Sequence, residues 1–219
     1  MTSEASSSSP RFFVLKNLNE GQHDTEFIRI SSNMGPALRC PQCGSITSLL
    51  TWQPPYQGDL ELHGTDLGDL MAGPCGGLLI TERFSEAFRA EGLTGLSGFH
   101  PVEISRVRRK HRGPKPGSPP RYLFVMPAYG QTAVDMERSR LRISKPIECA
   151  WCRETGVDAM GGITLETGTW SGEDVFRPRG LWGTILVSER FLRFAEKHAL
   201  SHIAWVPIEK YVWDPLHLL

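Results

Sequence analysis

Four cysteines stand in two matching pairs, Cys40 and Cys43 in CPQCG and Cys149 and Cys152 in CAWCR. A Cys-x-x-Cys pair supports three chemistries: a redox dithiol, a structural disulfide, or half of a tetrahedral metal site. Two pairs together supply four thiolates, a full ligand set for zinc. The gap between the pairs exceeds that of a compact zinc ribbon, where the second pair follows within about 20 residues. A redox dithiol belongs at a helix N-terminus inside a βαβ pattern, and neither pair opens such a helix. Gly44, directly after Cys43, reads as the turn residue of a metal knuckle. The second pair departs from the first: Arg153 stands where the first has Gly44, and bulky Trp151 lies inside the pair. Neither change removes a thiolate. Structural zinc on Cys40, Cys43, Cys149 and Cys152 is the leading reading, with a redox pair and a lost metal site as alternatives. Cys75 in GPCGG reads as a small buried or loop thiol, because no base such as His63 or His100 is placed beside it by the sequence.

The elements that carry these pairs recur. RFFVL at Arg11 echoes RYLFV at Arg121. LLITERFSEAF around Glu82 echoes ILVSERFLRF around Glu189, and PVE at Pro101 echoes PIE at Pro207. With Cys40 and Cys149 these matches keep their order, and the offset drifts only from 110 to 106 residues. A duplicated unit of about 100 residues explains this, a longer period than solenoid repeats show. Each unit reads as a strand (Phe12 to Leu15; Tyr122 to Val125), the cysteine pair, a Gly/Pro/Trp-rich loop, a strand leading into a helix, and a closing strand (Val102 to Val107; Ala204 to Ile208). Thr81 and Ser188 are good N-caps, Glu82 and Glu189 suit the first helical turn, and Phe84, Ala87, Phe88 and Phe191, Phe194, Ala195 form one-sided apolar stripes. Gly92 is the expected terminator of the first helix. The expected organisation is a disordered Ser-rich tail over 1–10, unit one over 11–108, a Pro/Gly/Lys linker over 109–120, and unit two over 121–219. The fold class expected is α+β, with two similar units packed as one body around a zinc site that closes a long loop.

Composition excludes several functions. The chain carries 24 basic and 24 acidic residues, so it lacks the basic excess of a dedicated nucleic-acid binder. Its basic cluster, Arg106, Arg108, Arg109, Lys110 and Arg112, reads as a solvated strand end rather than a phosphate-binding patch. No apolar run reaches the roughly 18 residues of a membrane helix. The opening MTSEASSSSP has neither the basic nor the apolar region of an export signal, so a cytoplasmic, reducing location is expected, where disulfides are rare. No His-Glu-x-x-His motif, nucleophile elbow, phosphate loop or dinucleotide fingerprint occurs, and no enzyme activity is expected. Asp69, Glu173 and Asp174 are carboxylates that read as loop anchors accepting backbone N–H bonds. The large aromatics, among them Trp52, Tyr56, Trp170, Phe176, Trp182, Trp205 and Trp213, divide between core filling and interface anchoring.

CPQCG, FHPVEISRVRRK, PPRY, ECAWCRETGVD, TGTWSGEDVFRPRG, VSERF and EKYVWDP together resemble the double-CxxCG-motif family, which occurs as many paralogues in myxobacteria. The resemblance runs from about Arg11 to Pro215. It implies an immunity protein that blocks one cognate polymorphic toxin, exchanged between kin cells, by binding it stoichiometrically. The implied partner is that toxin protein, with no membrane, no nucleic acid and no small-molecule substrate. The family's paired cysteines fall on Cys40, Cys43, Cys149 and Cys152, and Arg153 departs from the strict motif. The alternative class is a zinc-ribbon-like protein associated with nucleic acid through the basic stretch at 106 to 115.

Overall fold

A computed structural model describes residues 10–16, 21–112 and 117–219. The expected tail therefore lies outside the described residues except for Pro10, as do 113–116 of the expected linker. The fold is mixed α+β and mostly strand. In chain order the strands are β1 (Phe12–Lys16), β2 (Thr25–Arg29), β3 (Met34–Arg39), β4 (Ile46–Trp52), β5 (Gln57–Leu62), β6 (Leu70–Ala72) and β7 (Leu78–Thr81). Helix α1 (Glu82–Ala90) follows, then β8 (Leu96–Arg109), β9 (Tyr122–Ala133), β10 (Leu141–Ile143), β11 (Val157–Met160), β12 (Val175–Arg179) and β13 (Leu186–Ser188). Helix α2 (Glu189–Lys197) and β14 (Ala204–Pro207) complete the order.

Ten strands form one sheet in the order β14-β1-β13-β12-β9-β8-β5-β2, with β7 also on β9 and β6 on β7. The first strand does not pair within its own half of the chain. β1 lies between β13 and β14, setting Phe12 opposite Ser188 and Phe13 opposite Pro207. β9 mirrors this with β7 and β8, setting Tyr122 opposite Thr81 and Leu123 opposite Pro101. Two ribbons stand outside the sheet, β3 with β4 and β10 with β11.

Both helices begin as their sequences direct. The Thr81 hydroxyl accepts from the Phe84 N–H and the Ser188 hydroxyl from the Phe191 N–H, satisfying a donor that the first helical turn leaves unpaired. Their apolar faces meet in one core, where Phe84 and Phe194 pack edge to face with centroids 5.6 Å apart. That core joins Leu78, Ile80 and Phe88 of the first half to Val187, Phe191 and Phe194 of the second. Burying each such side chain contributes about 1.5–3 kcal/mol.

Three boundaries differ from the sequence reading. β8 starts six residues early and runs through Arg109, so the expected linker begins inside a strand. β9 continues to Ala133, because its far end pairs in parallel with β12. Ile208 leaves β14 and opens a short 3-10 turn. The loop TWQPPYQGD contains the end of β4 and the start of β5.

Two of the three expected loop anchors, Asp69 and Asp174, reach further than their own loops. The Asp69 carboxylate accepts from the Thr81 hydroxyl (2.8 Å), from the Ser201 N–H (2.8 Å) and from Arg83. The Asp174 carboxylate accepts from the Ser188 hydroxyl (2.7 Å), the Thr94 N–H (3.0 Å) and Arg190 (3.0 Å). Each thus ties its local helix cap to backbone of the other half of the chain.

Candidate metal centre

Each cysteine pair crowns one of the two ribbons. Cys40 and Cys43 lie in the tight connection between β3 and β4, just beyond the Arg39–Ile46 pair. Cys149 and Cys152 lie in the longer connection between β10 and β11, beyond the Ile143–Val157 pair. In the first knuckle the Cys40 N–H donates to the Ser45 carbonyl (2.8 Å), and the Gly44 N–H donates to the Cys40 carbonyl (2.9 Å). In the second, the Arg153 N–H donates to the Cys149 carbonyl (2.9 Å). The turn needs a left-handed residue after the second cysteine, and both knuckles supply one: Gly44 at φ +76° and Arg153 at φ +53°.

The knuckles meet face to face. Cys40 Sγ lies 3.9 Å from Cys149 Sγ, and Cys43 Sγ lies 3.7 Å from Cys152 Sγ. All four sulfurs fall within 4.8 Å of one another. These separations exceed an S–S bond of about 2.05 Å. They match the roughly 3.8 Å edge of a sulfur tetrahedron around an ion bound at about 2.3 Å. Cys40 and Cys152 are buried, Cys149 is half-buried and Cys43 is exposed. Neither pair sits at a helix N-terminus.

The surroundings suit concentrated negative charge. The Gln42 N–H points at Cys40 Sγ (3.4 Å). Arg39 donates to the Gly44 carbonyl (2.9 Å), and Arg179 donates to the Trp151 carbonyl (3.0 Å) while lying over the indole ring. Hydrogen bonds from the Ser45 hydroxyl and backbone N–H pull the Cys43 thiol down to about 6. Burial pushes the Cys152 thiol up to about 12, against the Glu154 N–H that lowers it. A cation favours the thiolate at all four positions and removes this asymmetry.

The sequence singled out all four cysteines, and the fold brings all four together. It did not single out Ser45, Arg179 or Tyr129. Ser45 adjoins the knuckle and was open to view. Tyr129 comes from β9, and its buried hydroxyl, without a hydrogen-bond partner among the described residues, has a pKa raised by burial and by charge on the nearby cysteines. Trp151 rests against the Tyr129 ring, with centroids 6.0 Å apart. Cys75 stands apart from the cluster in a short 3-10 turn, half-buried against Met34, and burial raises its thiol. A second group, Glu26, Glu61 and His63, also gathers, but Lys110 already pairs with Glu61 at 2.7 Å.

The basic cluster is largely paired. Arg108 bonds Asp59 (3.0 Å), Lys110 bonds Glu61 (2.7 Å) and Arg109 donates to the Thr65 carbonyl (2.8 Å). Among the described residues no helix is long and apolar enough to cross a membrane. No protein-family model matches the sequence, and no curated protein matches it.

Proposed function

We propose that the chain is an immunity protein that neutralises one cognate toxin by stoichiometric binding in the cytoplasm, with a structural zinc ion on Cys40, Cys43, Cys149 and Cys152. The mutual distance of the four sulfurs carries the metal reading. A closed four-thiolate shell leaves no coordination position for a substrate, so the ion acts as a staple rather than a catalyst. Rigidity of that kind suits a protein whose task is to present a fixed surface.

Two further features support the reading. The β3–β4 ribbon exposes Leu38, Ile46, Leu49 and Leu50 to about half their area, and clustered exposed apolar side chains mark protein-binding surfaces. The motif resemblance supplies the class of partner, a polymorphic toxin. The architecture is read as two copies of one unit, 11–108 and 121–219, that exchanged their first strands. The matching registers of β1 and β9 and the matching bonds of Asp69 and Asp174 support it. The nucleic-acid alternative draws less support, because its basic stretch is engaged by Asp59, Glu61 and Thr65.

The test is co-expression. The product of the adjacent upstream gene is expressed in a susceptible host with and without this chain, then recovered through a tag on this chain. Killing alone, survival together and co-purification are expected. A harmless neighbour that does not co-purify overturns the reading. Atomic emission should find about one zinc per chain. A fully folded, metal-free preparation with four titratable thiols overturns the metal assignment.

A further inference from the structure

The strongest unassigned feature is the side chain of Arg177 on β12. It is 4% exposed, yet among the described residues no carboxylate pairs with it. By contrast, Arg83 and Arg190 each meet an aspartate. A guanidinium carries five N–H donors. Here one nitrogen, Nη2, reaches the Gly76 carbonyl, while Nε is buried with no acceptor among the described residues. A buried cation without a counter-charge is costly, and burial accordingly lowers its pKa.

Arg177 lines a cavity of about 160 Å³ between β12, the turn at Gly76 and the end of β1. Its walls are apolar or glycine, Lys16 stands at its edge, and among the described residues no carboxylate lines it. Gly76 takes φ +76°, where another residue is strained, and a Cβ there would fall 2.6 Å from Arg177 Nη2. At about 30 Å³ per water, the space accommodates a small anion with its hydration. Two cations, no counter-ion among the described residues and a guanidinium Nε–H without an acceptor there are the chemistry that recognises a carboxylate or phosphate group.

We propose that this cavity binds a small oxyanion, a carboxylate or phosphate, through the Arg177 guanidinium with Lys16 at the rim. The site is independent of the toxin reading and of the metal.

The test follows the Nε–H resonance of Arg177 in the purified protein with its native metal content. Sodium acetate and sodium phosphate are titrated against sodium chloride at matched ionic strength. A saturable shift with acetate or phosphate, absent with chloride, is expected, and which anion saturates first separates the two chemistries. Lys16→Gln leaves the fork in place and should weaken binding about threefold; Arg177→Lys keeps the charge, loses the fork and should weaken it about tenfold or more. If Arg177→Lys fails to fold, the wild-type titration and Lys16→Gln still decide. An Nε–H signal that moves no more with acetate and phosphate than with chloride overturns the proposal and leaves Arg177 as a strut from β12 to the Gly76 turn. An affinity unchanged in Lys16→Gln overturns the part assigned to the rim.

Discussion

At the tip of the β3–β4 ribbon the chain turns through Gly44 at φ +76°, where a Cβ would meet nothing within 4 Å. In the β10–β11 connection the same turn is made by Arg153 at φ +53°. Glycine reaches this conformation without steric cost, whereas an ordinary residue loses about 1–2 kcal/mol there. Arg153 offsets that cost through its side chain, which donates to the Val134 carbonyl (2.6 Å) and pairs with Glu166. One knuckle is therefore locally encoded, and the other is held by tertiary contacts. Both knuckles offer the same pair of thiols, but their turns are supported differently.

The largest effect should come from the cysteines that both knuckles bring together. Cys40→Ser and Cys152→Ser each remove a buried sulfur, and each should release the metal and lower stability by several kcal/mol. Zinc content and urea midpoints measure this. If the knuckles are equal partners, the two substitutions cost the same within about 1 kcal/mol.

Next come the paired carboxylates. Asp69→Ala and Asp174→Ala each strand an arginine, a cap hydroxyl and an N–H, and each should cost about 3 kcal/mol. A large inequality would break the parallel between the two halves. For Asp69 the pH dependence is specified. Burial alone would raise its pKa, but bonds from the Ser201 N–H, Thr81 and Arg83 outweigh burial and hold it below the ordinary carboxylate value. Its stabilisation is thus full above the unfolded value of about 4 and fades as pH falls through the lower folded value. Asp69→Ala should flatten the acid limb of the stability curve.

Smaller still are the caps. Thr81→Ala and Ser188→Ala should each cost about 1–2 kcal/mol in chemical denaturation, since each hydroxyl serves a helix start and a carboxylate. The finest discrimination is at the knuckle turns. Gly44→Ala should cost about 1–2 kcal/mol from backbone strain alone. Arg153→Ala should be worse than Arg153→Gly by about 1 kcal/mol, because both lose the side-chain bonds and only alanine keeps the strained backbone. Equal costs would show that the second knuckle does not strain its turn.

Much of the candidate site was legible before any coordinates. Cysteine spacing named all four sulfurs, and Thr81, Ser188 and the phenylalanine stripes fixed both helices, because caps and helical periodicity are local properties. Gly44 announced its own turn. Arg153 did not, since nothing in its neighbours reveals the Val134 carbonyl or Glu166. Nor did Tyr129 or Arg177, whose significance lies in what surrounds them. The strands β2 to β6 carry no comparable local signal, because their pairing partners, not their composition, make them strands.

The amino-acid sequence by itself determined the two cysteine pairs, the helices and their caps, and the recurrence of both along the chain. Tertiary structure decided that β1 pairs with β13 and β14, that β9 pairs with β7 and β8, and that two ribbons bring their sulfurs within 4.8 Å. The physical reason is range. Capping and periodicity act within a few residues. Strand pairing and metal-site convergence join residues about a hundred positions apart, and only the folded chain closes those loops.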